Sequence, residues 1–258
     1  MTKKLEGKVA LVTGASTGMG RAAAIRFAEE GANVVVVARR EQEGQETVHL
    51  VEATGTKAKF LSADVTNYQQ MEDVVAKTMD VFGRLDFAFN NAGSGINQKI
   101  TDFRLEDWNT EIGVNLTGVF YGIKAQIPAM IENGGGSIVN MASQTALVAS
   151  PGYGPYAAAK AGVIALSRAA AVEYADQNIR VNSVSPGVVA TDILKSVPDS
   201  LLQRLRASIP LGREGQPEEV ASFVVYLCLP EAAWLTGQNF VLDGGFTAGR
   251  VMNRDVIR

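Results

Sequence analysis

The chain has 258 residues, of which 47% are hydrophobic and 20% charged, with a formal net charge of −3. That length suits one large α/β domain with a full core, and a slight acidic excess with no Lys/Arg block argues against a nucleic-acid partner. No apolar run approaches the ~18 residues that span a bilayer and the N-terminus lacks a signal-peptide core, so no membrane association is expected.

A single cysteine rules out an intrachain disulfide framework and fits a reducing, cytoplasmic setting. Cys228 lies in the apolar stretch 223–229 and reads as a small buried hydrophobe.

Lys8-Val9-Ala10-Leu11-Val12 reads as a short buried strand, followed directly by Thr13-Gly14-Ala15-Ser16-Thr17-Gly18-Met19-Gly20. Residues 21–30 then read as a helix stopped by Gly31, and the β-branched run 33–38 completes a βαβ unit. Glycines at such a turn let the backbone approach a pyrophosphate, whose charge sits at the helix N-terminus. The spacing Gly-x-x-x-Gly-x-Gly is a variant of the common dinucleotide fingerprint.

A helix over 41–53, a strand over 58–62, a helix over 68–82 and a strand over 86–90 follow. Next come a long helix over 105–133, which Pro128 should kink or split, a strand over 137–142 and a helix over 153–175. A strand over 179–184, a helix over 217–229 and a short strand over 239–242 end the series. The alternation predicts one α/β domain across residues 1–258, built on a single doubly wound Rossmann-type parallel sheet. About seven strands are expected, with helices on both faces.

Ligands of such a sheet bind beyond the carboxyl ends of its strands. Gly14, Gly18 and Gly20 follow the first strand, Asp64 and Val65 the third, and Asn90 to Gly93 close the fourth. Ser143 closes the fifth, and Pro186 to Thr191 follow the sixth.

Tyr156 and Lys160 stand four residues apart, so they share one helix face, with Ser143 thirteen residues upstream of the tyrosine. A phenol titrates near pH ~10, too high for proton exchange at neutrality. An ammonium beside it lowers that value, an effect that calls for a partly dehydrated site with a cofactor charge nearby. A Ser hydroxyl then orients the oxygen that Tyr156 protonates or deprotonates.

Taken in order, the Gly-rich segment, Asn90-Asn91-Ala92-Gly93, Asn115, Ser143, and Tyr156 with Lys160 resemble the short-chain dehydrogenase/reductase family. Pro186-Gly187 and Asp243-Gly244-Gly245 extend the likeness, which runs from about residue 8 to residue 245. The resemblance implies hydride transfer between nicotinamide C4 and a carbonyl or carbinol carbon. Tyr156 would be acid or base, Lys160 would lower its pKa and hold the nicotinamide ribose, and Ser143 would polarise the substrate oxygen. Asn115 would hold a water that links Lys160 to solvent.

The resemblance also implies cofactor contacts from Gly14, Ser16, Thr17, Gly18, Met19 and Gly20. Asp64 and Val65 would meet the adenine, and Asn90, with Asn91, Ala92 and Gly93, would lie along the cofactor. Pro186 and Gly187 would flank it, while Val189 and Thr191 would reach the carboxamide. Family members are commonly tetramers, so a homotetramer of dihedral symmetry is expected. Its contacts would come from the Ala/Gly-rich helix 153–175 and from residues 237–249.

Cofactor choice is read at the end of the second strand, where an acidic residue selects NAD and an Arg accepts a 2′-phosphate. Ala38 occupies the acidic position, and Arg39 and Arg40 follow it. The reading favours NADP(H), with NAD(H) as the alternative.

His49 is the only histidine and lies away from Ser143, so a Ser-His-acid hydrolase and a His/Cys metal site both lack their parts. Trp108 and Trp234 read as packing residues. The substrate walls should come from residues 94–100, 144–153 and 188–213, the last carrying Ile193, Leu194, Val197, Leu201 and Leu202 and able to act as a lid. Gln98, Gln144 and Tyr153 are the polar handles.

These walls suit a small or medium, largely uncharged ketone or secondary alcohol. An NAD-dependent dehydrogenase of a cyclic alcohol or diol, and a 3-oxoacyl reductase, remain open. Residues 132–136, Glu-Asn-Gly-Gly-Gly, lack the basic charge that would dock an acidic carrier. A non-catalytic dinucleotide sensor on the same fold is the reading from a different class.

Overall fold

Every residue of Val9–Thr13 (β1) and all but the first of Asn33–Ala38 (β2) are buried, as strands covered by helices on both sides must be. Side chains alternate between the two layers: Val34 and Val36 join one apolar cluster, Val35 and Val37 the other. These strands align in parallel with Ala58–Ser62 (β3), Phe87–Asn90 (β4), Gly136–Met141 (β5), Ile179–Pro186 (β6) and Asn239–Leu242 (β7). The seven-stranded order is β3-β2-β1-β4-β5-β6-β7, so the direction of winding reverses between β1 and β4. The computed structural model describes residues 3–192, 194 and 197–249.

Gly18–Glu29 (α1), Glu41–Glu52 (α2) and Pro217–Tyr226 (α8) cover one face, with Phe27, Val51 and Val224 among the buried contacts. Tyr68–Phe82 (α3), Gly118–Glu132 (α5) and Gly154–Glu173 (α6) cover the other, through Met71, Ile123 and Val163. Sequence signals set several ends. Asn67 caps α3 by accepting from Gln70 N–H at 3.2 Å, and Gly83, at φ 73°, takes the left-handed conformation that closes it. Among the described residues no helix is long and apolar enough to cross a membrane.

One expectation needs correcting. The helix foreseen over 105–133 is two helices, Leu105–Ile112 (α4) and α5, joined by a π-helical turn at Gly113–Thr117. The break lies at this turn and not at Pro128, through which α5 continues. The Gly118 N–H reaches back five residues to Gly113 O, and Gly118 has no side chain because a Cβ would stand 2.8 Å from Val65 Cγ2. The stretch foreseen as a lid contains a helix of its own, Asp199–Ser208 (α7), which contributes no buried residue.

Candidate active site

The loop after β1 is shaped by three glycines. Gly14 and Gly18 have φ of 63° and 55°, and a Cβ on Gly20 would run into Gly14 O. Thr13 Oγ1 accepts from the N–H groups of Asn91 and Ala92 at 3.0 and 3.1 Å, while Asn91 Nδ2 donates to Thr13 O and Gly14 O. These bonds draw residues 91–93 against the Gly-rich loop at the switch point. The first turn of α1 carries no acidic residue and no side-chain cap, leaving its N–H groups free to meet a diphosphate. A dinucleotide fits this cradle.

Arg40 Nη2 donates to Ser16 Oγ at 3.2 Å and Thr17 Oγ1 at 3.1 Å, and Arg40 Nη1 pairs with Glu43 at 2.9 Å. Arg39 is largely exposed and lies 4.0 Å from Asp64 Oδ2. Asp64 Oδ1 accepts from the Thr66 N–H and hydroxyl, a turn-forming arrangement. Two guanidinium groups thus border the loop where the adenosine end of a dinucleotide would lie.

Ser143, after β5, faces α6, and the two elements bring Ser143, Tyr156 and Lys160 together. Ser143 Oγ accepts from Thr145 N–H at 3.2 Å and shares a side-chain hydrogen bond with the Tyr156 phenol. The Tyr153 and Tyr156 rings meet edge-on with centroids 6.1 Å apart. Lys160 is fully buried; its ammonium donates to Met141 O at 2.7 Å and stands 5.7 Å from the Tyr156 ring centre.

In the chain alone the electrostatics run against the phenolate. Burial raises the Tyr156 pKa above its ordinary value, the Ser143 bond opposes that rise, and Glu111 and Tyr153 add to it. Burial also lowers Lys160, to about 8. The chain's own groups leave the phenol protonated, so acidifying it requires another positive charge at the site.

Asn115 sits in the π-helical turn, buried, with Nδ2 donating to Ser94 O at 3.0 Å and Glu111 O at 3.1 Å. A Cβ on Gly93 would lie 2.9 Å from Asn115 Oδ1 and 3.6 Å from Lys160 Nζ, so Asn115, Gly93 and Lys160 form one packed row. Sequence reasoning missed Glu111, which lies behind this row, completely buried. Its position one helical turn before Asn115 was the available signal.

Asn90 was expected along the cofactor. It instead points into the protein and exchanges hydrogen bonds with Gln126 and Asn140, a buried network that Asn140 extends to Ser167. A strand-end asparagine with acceptors on β5 and α5 is satisfied there, leaving nothing to offer the crevice. Val65 packs against the apolar layer beside Gly118. Val189 is buried and joins Gly215 in a short bridge, so its backbone is what it can offer a carboxamide.

A Cβ on Gly187 would meet Gln144 Oε1 and Asp243 Cβ, each at 2.9 Å, and Gln144 Oε1 is buried without a hydrogen-bond partner. Pro186 ends β6, and Thr191 lies against Gly18, whose added Cβ would be 3.2 Å from Thr191 Cγ2. A cavity of about 510 Å³ opens beside this contact, walled by Thr17, Arg21, Thr191, Leu194 and Pro217. Met19 packs against the apolar layer under the loop, and Ile193 lies outside the described residues.

His49 is exposed on α2, remote from Ser143. Cys228 is buried, its thiol raised to about 12 by burial, and is therefore inert. The tryptophans depart from expectation: Trp234 is 98% exposed and Trp108 44%, so neither is a core residue of the isolated chain.

Residues 14–247 match the family model described as "Enoyl-(Acyl carrier protein) reductase". The 2,5-dichloro-2,5-cyclohexadiene-1,4-diol dehydrogenase LinX of Sphingobium indicum is 38% identical over 249 residues, covering 96% of this chain and 100% of the relative. A cyclohexanol dehydrogenase of Acinetobacter is 39% identical, with 96% and 98% covered. The 3-oxoacyl-[acyl-carrier-protein] reductase FabG of Thermotoga maritima is 39% identical, with 94% and 98% covered. A crystal structure of a short-chain type dehydrogenase/reductase from Mycobacterium marinum superposes with a TM-score of 0.91 at 37% identity, covering 96% of this chain and 98% of that one.

Proposed function

The chain belongs to the short-chain dehydrogenase/reductase family, and on that premise we propose that it interconverts an uncharged cyclic secondary alcohol and its ketone with NADP(H). It is an oxidoreductase of alcohol and carbonyl groups that uses a nicotinamide cofactor. The observation that carries the reading is the meeting of Ser143, Tyr156 and Lys160 beside the glycine cradle. The cofactor, when bound, supplies or accepts the hydride and in its oxidised form brings a positive ring. Gly14 to Gly20 hold its diphosphate, residues 91–93 and 186–191 its nicotinamide half, and Lys160 its ribose.

Ser143 donates a hydrogen bond to the substrate oxygen, and Tyr156 gives that oxygen a proton in reduction or takes one in oxidation. Lys160 and the positive ring together favour the phenolate that burial alone opposes. Gln144 Oε1 lacks a partner, so a hydroxyl on the substrate satisfies it, which supports a hydroxylated ring. The whole chain acts as one domain in a reducing cytoplasm, with residues 188–213 closing over the substrate.

A panel of cyclic and acyclic alcohols and ketones, assayed with both cofactors, tests the reading. Cyclic substrates with NADP(H) should lead. Turnover confined to acyl-carrier thioesters would overturn it in favour of the 3-oxoacyl reduction that the Thermotoga relative's name carries.

The cofactor preference rests on Arg39 and Arg40 and on the uncharged Ala38. Replacing both arginines by Ala should weaken NADPH about ten- to a hundredfold, since charge-assisted hydrogen bonds contribute about 1.5–3 kcal/mol each, and leave NADH nearly unchanged. Ala38→Asp should favour NADH. Dissociation constants measured at low salt read both effects; equal weakening of the two cofactors would remove the 2′-phosphate assignment.

Assembly follows from surfaces left bare. Trp234 stands near β7, while Val172 of α6, 81% exposed, and Phe120 of α5 belong to helices on one layer. Apolar groups so exposed on one chain suit burial against other copies, and two separate surfaces suit a dihedral homotetramer. Light scattering at micromolar concentration should give four times the 27.4 kDa chain mass; a monomer mass would rule the assembly out.

A further inference from the structure

Glu111 is 0% exposed, and no step above uses it. Its carboxylate accepts from Ser94 Oγ at 3.1 Å and from the Ile96 backbone N–H, and Asn115 Nδ2 stands 3.4 Å from Oε2. These bonds tie the loop after β4 to the end of α4. The charged group facing it from α6 is Lys160, with the neutral phenol of Tyr156 also within its field. Neither a carboxylate nor an ammonium is buried alone without a large desolvation cost.

Both groups are nevertheless inside: Asn115 Oδ1 and Lys160 Nζ crowd the Cβ position of Gly93, and Asn115 Nδ2 faces the Glu111 carboxylate behind them, so one asparagine stands between the two charges. Three donors, Ser94 Oγ, the Ile96 N–H and Asn115 Nδ2, face the carboxylate, and such bonds favour its ionised form.

We propose that Glu111 is the internal counter-charge of Lys160, a positioning residue that keeps the ammonium protonated and oriented through the working pH range. The proposal rests on Lys160 acting as an ammonium in the reaction read above. Burial draws Lys160 down to about 8 while Glu111 pulls the other way. Without that charge burial acts unopposed, so the lysine loses its proton at lower pH. Burial also raises Glu111 itself above the ordinary carboxylate range, against the Ser94 and Ile96 bonds and Lys160. Protonation of Glu111 therefore limits activity on the acid side.

The test is Glu111→Gln, which keeps the size of the side chain and removes the charge. The alkaline limb of kcat/KM should move down by about one pH unit, roughly a tenfold loss where that limb falls, with a smaller effect near pH 6.5. In cofactor-free protein labelled with 13C at lysine Cε, the Lys160 resonance, identified by its absence from Lys160→Met, should titrate lower than in wild type. An unshifted Lys160 midpoint overturns the proposal, even if melting temperature falls, because loss of packing alone changes stability and leaves the midpoint in place.

Should the Gln variant not fold, Ser94→Ala serves. It removes a donor from the carboxylate, raising Glu111 further, so the acid limb of kcat/KM moves to higher pH; an acid limb identical to wild type overturns the proposal. The NMR midpoint is read without turnover. It therefore judges Glu111 separately from the reaction, whose own failure would show as Lys160→Met retaining turnover.

Discussion

Tyr156→Phe should lower turnover by about 10²–10⁴-fold, the usual contribution of a positioned general acid or base, while nicotinamide-cofactor affinity stays within about twofold. The substitution deletes one oxygen. The ring keeps its edge contact with Tyr153 at 6.1 Å, and Lys160 keeps its bond to Met141 O at 2.7 Å, so the cofactor side is undisturbed. What disappears is the hydroxyl shared with Ser143, and with it the group that exchanges a proton with the substrate oxygen. Single-turnover hydride transfer, followed by nicotinamide absorbance, separates chemistry from binding. A variant keeping more than about a tenth of wild-type turnover would remove Tyr156 from the acid/base role.

The pattern of successes and misses has a physical basis. Strands such as β2 and helices such as α3 declare themselves locally, through β-branched runs and 3.6-residue periodicity, and both lie where the sequence places them. Gly14, Gly18 and Gly20 are legible because a left-handed backbone or a close approach admits nothing larger. The spacing of Tyr156 and Lys160 is legible because one helix carries both.

Features that depend on partners distant in sequence were not. The turn that breaks the 105–133 region answers to Val65, far upstream, which leaves no room for a side chain at Gly118. Asn90 is an ordinary strand-end asparagine until Gln126 and Asn140 converge on it. Glu111 looks like one more acid on a polar helix, and only the fold turns it inward beside Ser94 and Asn115. The balance of charge and burial at Tyr156 in the chain alone is hidden for a related reason: spacing supplies a neighbouring ammonium but says nothing of how much water both groups lose.

Lys160→Met should abolish most activity, at least a hundredfold by the general-acid/base scale, and at the same time flatten one component of the pH dependence of stability. The unfolded chain's lysine titrates near 10.5 and the folded one near 8, a difference that corresponds to roughly 3 kcal/mol. The folded pKa is the lower, so the cost of the buried charge is fully present below about 8. Between about 8 and 10.5 the unfolded state binds more protons, and stability rises with pH until the cost is gone.

Methionine carries no proton to lose and fills a similar volume, although it leaves Met141 O without its donor and Glu111 without its counter-charge. That loss shifts the variant's whole curve but should not reproduce the lysine's slope. The informative quantity is therefore the difference in melting temperature between wild type and variant, both cofactor-free, followed from pH 7 to 10.5. It should move in favour of wild type by about 5 °C or more, at roughly 2–4 °C per kcal/mol for a chain of this size. A constant difference across that range would mean that Lys160 keeps its ordinary pKa in the fold, and the account of a dry ammonium balanced by Glu111 would fall with it.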